Sequence, residues 1–114
     1  MILLLRLLAE CEDAGVAALA DRFVAAARPW NGVLVGAPER SASWPELVEF
    51  TLSLRPADDA TFHAVLAAVG AGWTHGGDAD DRSSVWNRTA GTCCLAPETR
   101  WAELLRHRGT HAAS

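Results

Sequence analysis

The order of hydrophobic patterns along this chain predicts an α+β fold. Three observations carry that reading: an apolar run from Ile2 to Ala9 interrupted by Arg6, two segments whose apolar residues recur at helical spacing, and a clean alternation between Glu46 and Arg55. In sequence they read strand, helix, strand, strand, helix, strand. That is the order of a ferredoxin-like βαββαβ sandwich, an antiparallel sheet with two helices on one face, here followed by a C-terminal extension. The chain has 114 residues, read as one α+β domain over 1–108 with 109–114 a frayed tail. A domain of this length buries roughly two-thirds of its unfolded surface and needs no disulfide or metal to fold.

The first run, bounded by Glu10, Glu12 and Asp13, is rich enough in leucine and isoleucine for a central strand with both faces largely covered. From Asp13, a candidate N-cap, Val16, Leu19, Ala20, Phe23, Val24 and Ala27 keep to one helical face until Pro29 closes it. Trp30 to Val35 reads as a short strand, and Gly36 to Pro45 as a loop holding an exposed Trp44. Val48, Phe50, Leu52 and Leu54 then point one way while Glu49, Thr51, Ser53 and Arg55 point the other, the period of a half-buried strand. Asp58 caps a second helix with Phe62, Val65, Leu66 and Val69 on one face and His63 off it. Trp73 to His75, the acidic turn Gly76 to Asp81, and Ser84 to Arg88 make the fourth strand a hairpin. Pro97 and Glu98 followed by Trp101, Leu104 and Leu105 read as a helix with proline in its first turn; Arg100 to Leu104 as a short edge strand is the alternative.

One difficulty comes out of the first strand. If Leu3, Leu5 and Leu7 meet the helices, the other parity carries Ile2, Leu4, Arg6, Leu8 and Glu10, too apolar a set to face water. Two covers are considered: the C-terminal segment folding back, which is preferred, and a second copy packing sheet to sheet.

The net charge of −4 argues against nucleic acid and anionic membrane surfaces as partners and makes a basic partner easier to accommodate. All ten cationic residues are arginine and tyrosine is absent, the usage of a GC-rich bacterial genome. The opening apolar run is too short to span a bilayer and lacks a basic flank or cleavage site, so a cytoplasmic protein is expected. Cys11, Cys93 and Cys94 are an odd set, read as reduced thiols.

The residue types that could carry chemistry are sparse. Cys93, Cys94, His75 and His107 lack metal-site spacing, and neither Ser83 nor Ser84 lies in a nucleophile elbow beside His75, so no catalytic residue, metal or cofactor is assigned. Asp78, Asp80 and Asp81 lack the ligand series of a calcium loop and suit a basic protein partner better, with Trp44 as an anchor. Arg6, Glu10, Glu49 and Thr51 form the candidate small-ligand pocket on the second sheet face. Trp86 and Trp101 are read as core.

Val85-Trp86-Asn87, Cys93-Cys94-Leu95 and Arg100-Trp101-Ala102-Glu103-Leu104 together resemble a group of small actinobacterial proteins regarded as immunity proteins of polymorphic toxin systems. The likeness lies in the C-terminal third, with Cys11-Glu12-Asp13 after the first strand as a further shared point. It implies a stoichiometric inhibitor that masks the active site of a cognate toxin and has no catalysis of its own. The competing expectation is a small dimeric α/β-barrel enzyme or ligand-binding protein acting on an apolar molecule, for which a homodimer is required.

Overall fold

The computed structural model describes residues 2–69, 72–77, 81–87 and 94–107. The strands are Ile2–Glu10 (β1), Val33–Leu34 (β2), Glu39–Arg40 (β3), Leu47–Ser53 (β4), Trp73–Gly77 (β5), Asp81–Asn87 (β6) and Thr99–His107 (β7). The helices are Val16–Ala26 (α1) and Asp59–Val69 (α2), with short 3-10 turns at Asp13–Gly15 and Arg28–Trp30. Among the described residues every strand pairing is antiparallel, and these seven strands form one sheet in the order β2-β4-β1-β7-β6-β5, with β3 on β4.

The mixed α+β architecture with an antiparallel sheet and two helices is therefore present, but the ferredoxin-like strand order is not. β4 lies between β1 and β2 as a split βαβ unit requires. On the other side of β1 the expected fourth strand is displaced. The hairpin read from Trp73 to Arg88 is formed by β5 and β6, but it sits at the sheet's outer edge, and the C-terminal segment takes the place beside β1.

That segment is neither the expected helix nor an edge strand. β7 is as long as β1, nine residues each, and its Ala102 and Leu104 meet Leu7 and Leu5 while Glu103 stands opposite Arg6. Apolar pairs on one face and an opposite-charge pair on the other outweigh a local helical preference in a segment that Pro97 merely starts. The fold-back cover expected of this segment is thereby excluded, since β7 widens the sheet instead of capping it.

Both helices lie on the face of Leu3, Leu5 and Leu7. α1 puts Phe23 edge-on against Phe50, ring centroids 5.0 Å apart, and Phe50 stands opposite Leu7. At its start α2 pairs Asp59 with the buried Arg106, which stands opposite Leu3. Between helices and sheet Leu5, Leu7, Phe50, Leu52, Trp86 and Leu104 are sealed from water. Asp58 caps α2 as expected, its Oδ1 accepting the Thr61 N–H at 2.8 Å. Asp13 does not cap α1; a 3-10 turn intervenes and its carboxylate binds Arg40 at 2.5 Å. The strand read from Trp30 shrinks to β2, with Trp30 in the preceding turn. Gly77, at φ 84°, opens the β5–β6 turn, where a Cβ would strike the Asp81 carbonyl oxygen. The frayed tail expected at 109–114 lies outside the described residues.

Candidate functional site

The face of the sheet away from the helices is where unlike side chains are gathered. Alternation along β1 turns Leu4, Arg6 and Leu8 to this side, and the register brings Leu105, Glu103 and Trp101 of β7 opposite them. From β4, Thr51 stands opposite Arg6 and Glu49 opposite Leu8.

Arg6 is the centre of this face. Its Nε donates to Glu49 Oε2 and its Nη1 to Glu103 Oε1, each at 3.0 Å, so one guanidinium ties together the strands on either side of its own. The hydrogen bond to Glu49 first, and then the charges of Glu49 and Glu103, raise the Arg6 pKa above its ordinary value against the opposing effect of burial. The guanidinium carbon also lies 5.9 Å from the Trp101 ring centroid, within cation–π range.

Beside Arg6 the face deepens into a cleft of about 690 Å³. Arg6, Leu8 and Leu47 line it from the sheet, Trp101 and Asn87 from the β7–β6 side, and Trp44, Glu46 and Arg100 around them. Trp44 is 56% exposed. The turn that presents it is closed by the Trp44 N–H on Ser41 Oγ at 3.1 Å and the Leu47 N–H on the Trp44 carbonyl at 2.8 Å. Arg40 steadies the same turn by donating to the Pro45 and Cys11 carbonyls. Arg100 is held by Glu10, Nε to Oε1 3.3 Å.

The structure thus unites part of two expected sets. Arg6 from the ligand pocket and Trp44 from the partner surface line one cleft. Glu49 reaches Arg6 but, with Thr51, lines a separate hollow of about 230 Å³ beside Glu39. Glu10 does not line the cleft but is paired with Arg100, which does. Asp81 is at the far end of the sheet, bonded to His107 Nδ1 at 2.8 Å, and Asp78 and Asp80 lie outside the described residues. Trp86 is core at 1% exposure, but Trp101 is a cleft wall and not core. Reading its segment as a helix concealed this; read as a strand, the parity of Trp101, Glu103 and Leu105 marks an outward face.

Two other clusters bear on chemistry. His75 Nδ1 and Ser84 Oγ are 2.7 Å apart in a groove of about 470 Å³ between α2 and the β5–β6 hairpin. Ser84 is 1% exposed, so the imidazole satisfies a buried hydroxyl instead of activating an accessible nucleophile. Burial raises the Cys11 thiol pKa, with Arg40 opposing, which keeps thiolate low, and Cys94 is buried in the core. Cys93 lies outside the described residues. Among the described residues no group of three or more His, Cys, Asp or Glu is placed to hold a metal, and no helix is long and apolar enough to cross a membrane.

Comparison of the chain with protein-family models, with curated proteins and with solved structures finds no match. The geometry of the open face is accordingly the basis for a functional reading.

Proposed function

We propose that this chain is a stoichiometric protein-binding module of the immunity type, which neutralises a cognate toxin by masking its active site in the cytoplasm. Its recognition surface is the open sheet face. The observation that carries this reading is the cleft walled by Trp44 and Trp101 beside the Arg6–Glu49–Glu103 cluster. Interfaces concentrate their energy in a few tryptophan and arginine anchors surrounded by polar groups, and this face is composed in that way. No nucleic acid, membrane or cofactor enters the reading.

Co-expression with the products of the genes on either side of this one tests it. Wild type is expected to restore growth and to co-elute with one toxin at one to one, and Trp101→Ala to lose both. Failure to protect against any of them would overturn it.

The size of the same cleft supports a second reading, because about 690 Å³ falls in the range of small-molecule sites. Under it, two copies pack sheet to sheet around an apolar molecule. A homodimer that retains a small molecule through purification is the outcome that selects this alternative.

A further inference from the structure

We infer that the cleft between Trp44 and Trp101 receives a cationic side chain, an arginine, presented by the protein partner. This rests on the protein-binding reading above and adds the chemistry of what is bound.

The charges around the cleft decide its preference. The charged residues lining the cleft are Arg6, Arg100 and Glu46, and the partners of the two arginines lie just outside it, Glu49 and Glu103 on Arg6 and Glu10 on Arg100. Both arginines are committed: Arg6 to two carboxylates and Arg100 to Glu10. Glu46 is different. It lines the cleft, and its carboxylate makes no ion pair or hydrogen bond among the described residues. Among the described residues the acceptor left over is therefore anionic, and no cation lining the cleft is left over to match it.

The walls suit the same occupant. Arg6 already sits against the Trp101 ring, which shows that this indole accepts a guanidinium. The Trp44 indole is the largest exposed aromatic surface at the rim. An incoming arginine could stack its planar head on an indole, fork to Glu46, and lay its methylene stem over Leu8 and Leu47. Other occupants fit worse. An anion would meet the unpaired Glu46 and two arginines that are already paired, and a neutral apolar group would dehydrate Glu46 without giving it a partner.

The test uses the intact protein and three terminally blocked tripeptides, Leu-Arg-Leu, Leu-citrulline-Leu and Leu-Glu-Leu, followed by NMR on the indole N–H signals. The arginine peptide is expected to shift Trp44 and Trp101 and to leave Trp30, Trp73 and Trp86 in place. Its citrulline twin, which lacks the charge, should bind about tenfold more weakly. Trp44→Ala should weaken the arginine peptide about tenfold and Glu46→Gln about threefold. Both positions are exposed, so these variants keep the fold. Equal binding of the citrulline peptide, tighter binding of the glutamate peptide, or a dimer that Trp44→Ala dissociates would each overturn the inference. If toxin protection survives Trp44→Ala while the arginine peptide does not bind, this inference fails and the protein-binding reading stands. If the peptide binds as expected but no toxin is neutralised, the site stands and the immunity reading fails.

Discussion

The two faces of the sheet are made by the same strands and differ mainly in what lies above them. On β1, Leu3, Leu5 and Leu7 go under the helices and are fully buried, while Leu4, Arg6 and Leu8 alternate with them and stay partly exposed. Leucine fills all three positions of the first set and two of the three in the second, so apart from Arg6 composition does not separate a core face from a working face. Cover does. Under the helices, side chains are fixed by mutual packing and the cost of change is a cavity. On the open side the same positions hold a charged centre and a half-exposed tryptophan, groups a sealed core accepts only when fully partnered.

This contrast is sharpest in stability. Phe50→Ala, beneath α1, is expected to cost about 3–5 kcal/mol in urea unfolding, and Leu8→Ala about 1 kcal/mol or less. Comparable losses would mean that the open face is covered in solution. The two tryptophans on neighbouring strands give a paired version. Trp86→Ala should cost about 3–5 kcal/mol and Trp101→Ala about 1–2 kcal/mol. Partner affinity should reverse the order, with Trp101→Ala losing about thirtyfold or more by titration calorimetry.

Arg6→Leu attacks the comparison from the other side by making the open face resemble the covered one. It enlarges the apolar surface and leaves Glu49 and Glu103 without their shared cation, so concentration-dependent self-association should appear in light scattering. An unchanged monomer would show that Arg6 does not keep this face apart from other copies.

The smallest effect concerns pH. The Arg22 hydrogen bond holds the Glu98 carboxyl below its ordinary pKa, against the opposing effect of burial. A depressed folded-state pKa stabilises above the ordinary carboxylate range, and that contribution is lost as pH falls through the depressed value. Glu98→Gln should therefore make stability slightly less dependent on pH in the acid range, and added salt should shrink the difference. A steeper acid loss in the variant would contradict the assigned direction.

Much of the covered face was legible in advance. The parity of Leu3, Leu5 and Leu7, the alternation through Phe50 and Leu52, and the face of α2 at Phe62 and Val65 are local patterns that the structure keeps. The candidate site was legible in fragments. Arg6 and Trp44 were singled out for separate reasons, and that they share a cleft depends on the turn closed at Ser41 and Leu47. Trp101 and Arg100 were missed because the segment from Pro97 carries a helical and an extended pattern at once, and Leu47 and Asn87 because only the pairing of β4 with β1 and of β6 with β7 brings them to the same cleft.

By itself, then, the sequence determined the local periods: which residues of β1 and β4 share a side and where each helix turns its apolar stripe. These follow from backbone geometry, which repeats every 2 or 3.6 residues whatever lies nearby. Only the tertiary structure decided that β7 is a strand, that it and not the hairpin lies beside β1, and that Trp101 faces outward. Those outcomes rest on pairings such as Leu5 with Leu104 and Arg6 with Glu103, where burial and opposite charge join residues from opposite ends of the chain. A short stretch of sequence carries no record of which distant partner will complete its ladder.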